Sequence, residues 1–152
     1  MPNHARLAHI NLVARDWKRL AAFYQEVLCC EPIPPERNLS GKWLREATGI
    51  ENAAIQGIHL RLPGYGPAGP TLEIFQYNRS KDRLTTALNR PGFAHIAFSV
   101  DSVKDALAEV IRAGGQSAGK LVSATVPAAG RIKFVYATDP EGNIIELQKW
   151  ES

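Results

Sequence analysis

LAHINLV at residues 7–13 and FAHIAFS at residues 93–99 share Ala-His-Ile at an offset of 86 residues. The segments after the two copies correspond as well. In the first, Asp16 reads as a helix N-cap ahead of the apolar stripe Trp17, Leu20, Ala21, Tyr24 and Leu28. In the second, Asp101 reads as the cap ahead of Val103, Ala106, Leu107, Val110 and Ile111. Both stripes keep the i, i+3, i+4, i+7 spacing of a helix with one buried face. The halves end alike, with TLEIFQY at 71–77 and IIELQKW at 144–150, each an apolar strand carrying one Glu. Gly/Pro turn signals precede them, LPGYGPAGP at 62–70 and DPEGN at 139–143. Further strand candidates stand before those turns, AAIQGIHLRL at 53–62 and RIKFVYAT at 131–138.

Each half therefore reads strand, helix, then about three strands. The expected class is α+β: two βαβββ modules, about 5–78 and about 92–150, in a single domain spanning 1–152, with 78–92 as the connector. The copies differ in length. His9 to Glu73 spans 64 residues and His95 to Glu146 spans 51, which puts about thirteen extra residues in 36–52. There GKWLREATG predicts a short helix ending at Gly49. This insert has three readings: cover for a pocket, an extended subunit interface, or a plain surface excursion.

Composition narrows the partners. Hydrophobic content of 45% and charged content of 22% are those of an ordinary globular chain. The apolar runs are far short of the roughly 20 residues a membrane-spanning helix needs. MPNHARLAHI lacks the apolar core of a secretory signal, so the expectation is a cytoplasmic protein. Eighteen Lys and Arg are interspersed with fifteen Asp and Glu, with no basic run, which argues against nucleic acid. A local positive field would favour an anionic small molecule instead. Cys29 and Cys30 are adjacent and make neither a disulfide framework nor a CxxC site; they read as reduced thiols in a strand.

Alternation along the strands singles out four side chains. Ala8, Ile10 and Leu12 form the apolar face of the first strand and leave His9 and Asn11 on the other. Ala94, Ile96, Phe98 and Val100 do the same for His95. Leu72 and Ile74 flank Glu73, and Ile145 and Leu147 flank Glu146. One such His is more often a hydrogen-bonded structural residue, and one such Glu is usually a solvent-facing alternation residue. Four at equivalent points of a repeat are not independent accidents. If the second face curls into a trough, two carboxylates converge there, and a divalent cation relieves their repulsion. Imidazole and carboxylate donors suit Zn, Ni, Co, Fe or Mn. Four protein ligands in a six-coordinate site leave two positions for a chelating substrate. His59 and Arg61 share a strand face opposite Ile58, Leu60 and Leu62; Arg61 is placed to hold a carboxylate or phosphate and His59 to shuttle protons. Arg131 and Lys133 are weaker candidates of that type.

AHINLVARDW, the helix end FYQEVL, TLEIFQY, GFAHIAFSVDSV and DPEGNIIEL together make the chain resemble the vicinal oxygen chelate superfamily over roughly residues 5–150. That superfamily includes glyoxalases, bleomycin-resistance proteins and extradiol dioxygenases. The resemblance implies paired βαβββ modules forming a curved mixed sheet around a metal-binding cleft. It places one divalent ion on His9, Glu73, His95 and Glu146. The His/Glu/His/Glu set is similar to bacterial glyoxalase I and close to methylmalonyl-CoA epimerase, which typically has Gln at the position of Glu73. It implies an isomerase or lyase acting on a small α-oxygenated carbonyl compound through a metal-stabilised enediolate. Glu146 would be the catalytic base, with Glu73 the alternative, and Asn11, His59 and Arg61 would contact substrate. The 36–52 insert does not match the segments that hold glutathione in glyoxalase I, and the epimerase's separate catalytic Glu has no counterpart here. Two other functions stay open: an Fe(II) extradiol-type dioxygenase using His9, His95 and Glu146, and a non-catalytic drug- or metabolite-binding protein. A homodimer is expected on general grounds.

Overall fold

The computed structural model describes residues 3–151. The chain divides into two compact units, residues 1–82 and 83–152. The first contains β1 (His9–Val13), α1 (Trp17–Leu28), β2 (Glu31–Ser40), α2 (Lys42–Thr48), β3 (Ala54–Arg61) and β4 (Thr71–Tyr77). The second contains β5 (His95–Ser99), α3 (Val103–Arg112), β6 (Gln116–Ser117), β7 (Val122–Val126), β8 (Gly130–Thr138) and β9 (Ile144–Glu151). Both follow the βαβββ plan, with α2 inserted after β2 in the first and the two short strands β6 and β7 standing in the place of one strand in the second. The strands form two sheets, one of four strands in the order β1-β4-β3-β2 and one of five in which β6 and β7 both pair with β8. In each sheet the first strand lies parallel to the last, and the remaining pairs are antiparallel.

The first helix is built as its sequence predicts. Asp16 caps it, its side-chain oxygen accepting from the Arg19 backbone N–H at 3.1 Å. Trp17, Leu20, Ala21, Tyr24 and Leu28 are buried, and Phe23 joins them. The helix packs on β3 and β4, where Leu60, Leu72 and Ile74 are fully buried. Each such aliphatic side chain contributes about 1.5–3 kcal/mol by leaving water. In the second unit α3 packs on β8 and β9, over Val135, Ala137, Ile145 and Leu147.

The second helix start differs from the expectation. Ser102, not Asp101, is the N-cap: its hydroxyl accepts from the Asp105 N–H at 3.3 Å, and its backbone is extended. A helix beginning at Val103 leaves Asp101 one residue too early to reach the orphan N–H groups. Val103 and Val110 of the stripe are buried, Ala106 and Leu107 are half-buried, and Ile111, in the last turn, is exposed. Ala8 and Ala94 lie ahead of their strands and are exposed.

The insert in the first unit carries α2, which ends at Gly49 in the left-handed conformation (φ 69°). Leu44 packs with Ala53 and Ile55 beneath it. The DPEGN turn is tied by Asp139, whose carboxylate accepts from the N–H groups of Glu141 and Asn143 and from the Asn143 amide. Arg83 and Thr86 donate to the Gly142 carbonyl, binding the start of the second unit to the same turn. No helix among the described residues is long and apolar enough to cross a membrane.

The cysteines lie at the end of α1, not within a strand. Cys29 sits just past the helix with φ 55° and is exposed, while Cys30 is buried. A residue in that left-handed position ends the helix and reverses the chain, so β2 begins only at Glu31. Burial, aided by Cys29, pushes the Cys30 thiol up to about 12. At pH 8 only about one in 10⁴ Cys30 side chains is then a thiolate. Titration with a thiol-reactive disulfide is expected to count one fast thiol in the native protein and two in denaturant. Equal, fast reaction of both in the native state would contradict this packing.

Candidate functional site

In the first unit, strand register gathers the polar side chains. Parallel pairing sets His9 opposite Thr71 and Asn11 opposite Glu73. On the other side of β4, antiparallel pairing sets His59 opposite Glu73 and Arg61 opposite Thr71. Residues opposed in register point to the same face, which here is the face away from the α1-packed Leu60, Leu72 and Ile74. Glu73 is only 8% exposed. A carboxylate buried to that degree needs donors, and it has them. The Asn11 amide donates to Oε1 at 2.8 Å, His59 Nε2 lies 2.6 Å from Oε2, and His9 Nε2 lies 3.5 Å from Oε1.

The His59 tautomer is set by these partners. A carboxylate only accepts, so Nε2 carries the hydrogen. Nδ1, 2.8 Å from Thr71 Oγ1, is then the acceptor of the threonine hydroxyl. Burial pushes the His59 pKa below its ordinary value; Glu73 pulls against this, and Arg37 and His9 add to it. The His9 and His59 rings meet edge to face, 5.4 Å between centroids.

The second unit repeats the register with different neighbours. Glu146 stands opposite Ala97, two residues beyond His95, as Glu73 stands opposite Asn11, two beyond His9. His95 Nε2 lies 3.0 Å from Glu146 Oε2. Tyr136 takes the place that His59 has in the first unit, opposite the Glu. Its ring meets His95 at 5.2 Å rather than bonding to the carboxylate. Glu73 is thus held by three side chains, whereas Glu146 is paired with one among the described residues.

Of the four expected ligands, the structure brings His9 to Glu73 and His95 to Glu146, each pair within its own unit. No group of three or more His, Cys, Asp and Glu side chains is arranged to hold a metal ion among the described residues. The donor chemistry of each pair nonetheless fits a divalent cation, since it sets an imidazole nitrogen beside a carboxylate oxygen. Asn11 and His59 lie against Glu73. Arg61 is half-buried, and its Nε is buried without a hydrogen-bond partner. Arg131 and Lys133 alternate with Ile132 and Phe134, on the face of β8 opposite Tyr136. Both bond to Glu151, at 3.0 and 2.9 Å, and hold its carboxyl below the usual range, the Lys133 hydrogen bond foremost. Cavities of about 400 Å³ beside α2 and about 530 Å³ at the DPEGN turn are lined by none of the expected site residues.

Sequence reasoning alone does not single out Thr71 and Tyr136. Thr71 is signalled by its place two residues before Glu73 on the same strand face, and Tyr136 only by aligning the two halves strand by strand. Arg37, opposite Gly57 and so on the His59 face, is hidden by a register shift between Ile33 and Arg37.

Residues 6–147 match the Glyoxalase/Bleomycin resistance protein/Dioxygenase superfamily. The chain is similar in fold to a glyoxalase family protein from Bacillus cereus (TM-score 0.82, 16% identity, 99% of this chain and 97% of that one). It is also similar to a glyoxylase/bleomycin resistance protein/dioxygenase domain from Frankia sp. (0.64, 20%, 98% and 100%). A third similar structure is a glyoxalase family protein from Enterococcus faecalis (0.61, 22%, 95% and 97%). No curated protein matches the sequence. With the family match spanning nearly the whole chain and the doubled βαβββ architecture agreeing with it, the protein belongs to the Glyoxalase/Bleomycin resistance protein/Dioxygenase superfamily.

Proposed function

We propose that this protein is a divalent-metal-dependent isomerase or lyase acting on a small α-oxygenated carbonyl compound, with His9, Glu73, His95 and Glu146 as the metal ligands. One observation carries the reading: a His on the first strand and a Glu on the last meet in the same register in both units. A duplicated His–Glu pair supplies two imidazoles and two carboxylates, a set that suits Ni, Zn, Co, Mn or Fe. Members of this superfamily commonly bind a divalent metal.

When bound, the cation would supply Lewis-acid stabilisation of negative charge on adjacent substrate oxygens. The chain's own part is to hold the ligands and to move a proton at the carbon next to the carbonyl. Glu73 suits the first task, because Asn11 and His59 occupy its two oxygens. Glu146 suits the second. Its single imidazole partner leaves a carboxylate oxygen to accept a proton.

The test is incubation of metal-loaded protein in D2O with a panel of α-hydroxy and α-keto carbonyl compounds, then mass spectrometry. Solvent deuterium is expected at the reacting carbon of recovered substrate or product. No incorporation across the panel, together with Fe(II)-dependent oxygen uptake on catechols, would replace this reading with a ring-opening oxygenase.

A further inference from the structure

We infer that the substrate carries a carboxylate or phosphate group, held by Arg37 and Arg61 on either side of the His59–Glu73 pair. Assigning that anion to the substrate rests on the proposed function; the binding site itself rests on strand geometry. Arg61 lies two residues beyond His59 on β3, and Arg37 faces Gly57, two residues before it. Both therefore share the strand face that carries His59 and Glu73. The two positions are four strand residues apart along β3, or roughly 13 Å, so their side chains bracket the centre of that face.

Arg61 differs from the other arginines among the described residues in having a buried guanidinium nitrogen with no hydrogen-bond partner. Arg15, Arg45, Arg112 and Arg131 each form an ion pair with an Asp or Glu. Arg37 and Arg61 form none among the described residues; Arg37 donates only to the Pro35 carbonyl. Glu31 stands opposite Arg61 in register, yet the two make no ion pair. The Nε of Arg61 is buried without an acceptor. A guanidinium cannot shed its proton to escape that position, and leaving such a donor unmade is costly. Nε with the neighbouring Nη presents a fork that matches two oxygens of a carboxylate or phosphate. Glu73, on the same face, pairs with His9 and His59 and not with Arg61.

The experiment uses the protein as purified, with its metal content recorded, and inorganic phosphate and acetate as the two probes. Side-chain ¹H–¹⁵N spectra track the Arg61 Nε–H resonance while calorimetry gives the affinity. The resonance is expected to move with at least one probe, and the probe that binds tells phosphate from carboxylate. Arg61→Gln and Arg37→Gln should each weaken binding by about 10-fold or more, the range for a charge-assisted contact. Arg61→Lys, which keeps the charge and loses the fork, should fall between, and it serves if the Gln variant does not fold. Arg112→Gln, whose partner is Glu109 on α3, should bind like wild type.

A still resonance with both probes, or equal weakening by Arg112→Gln, overturns the inference. If that happens while metal and deuterium exchange persist, the proposed function stands alone. If the anion tracks Arg61 in protein that takes up no metal, the anion site stands and the metal-dependent reading falls.

Discussion

Glu146→Gln is expected to lower deuterium wash-in by about 10²–10⁴-fold, the usual worth of a positioned general base, while leaving stability near wild type. Gln keeps the shape and an oxygen for His95, 3.0 Å away, but cannot take a proton. The matching change in the first unit should behave differently. Glu73 accepts from Asn11 on one oxygen and from His59 on the other. Glu73→Gln turns its amide NH2 toward one of those donors, and His59 can meet it only by moving its own hydrogen to Nδ1, which then donates to Thr71. The change also removes the charge that strengthens both hydrogen bonds, a loss of about 1–3 kcal/mol, so Glu73→Gln should lower the melting temperature as well as activity. Thermal unfolding and wash-in measured on both variants check this contrast. Equal effects of the two changes would remove the distinction between a holding carboxylate and a working one.

Gly57→Ala is expected to destabilise the fold by about 3 kcal/mol, the upper range for overpacking. A Cβ at residue 57 would lie 2.0 Å from the Ile74 carbonyl oxygen and 2.8 Å from Phe75 Cδ1. The first of these is backbone and cannot swing aside, so β3 or β4 must shift. Those strands carry His59 and Glu73, and the shift would disturb their 2.6 Å contact. For a chain of this size the loss corresponds to a fall in melting temperature of about 6–12 °C. Gly119→Ala is the control: nothing lies within 4 Å of its Cβ and its φ is not positive, so stability should hold. A Gly57→Ala protein as stable as wild type would mean that β3 and β4 are not packed as described.

Much of the fold is legible in the sequence because the two signals behind it are periodic. Trp17 to Leu28 keeps the helical period and Leu72–Glu73–Ile74 the strand period, and burial agrees with both. The repeat supplies the topology, since a second copy of each element supports the first. The Ser102 cap is not legible, because Asp101 and Ser102 are both good N-caps and only backbone geometry chooses between them. The His–Glu pairs are legible for the same reason as the strands: alternation fixes the face, and the repeat fixes the partner. What alternation does not give is cross-strand register. Neither the engagement of Asn11 and His59 with Glu73 nor the Thr71 contact to His59 can be read from any single strand. Arg37 is the clearest case, because the register shift in β2 changes which of its residues face β3.

The most direct check is metal content by inductively coupled plasma mass spectrometry, on the wild type and on His9→Ala and His95→Ala. Two pairs sharing one ion predict one equivalent of a divalent metal in the wild type and its loss from both variants, each of which alters only its own unit. A metal-free wild type that takes up no added Ni, Zn, Co, Mn or Fe, or a His95→Ala protein that retains a full equivalent, would contradict the account.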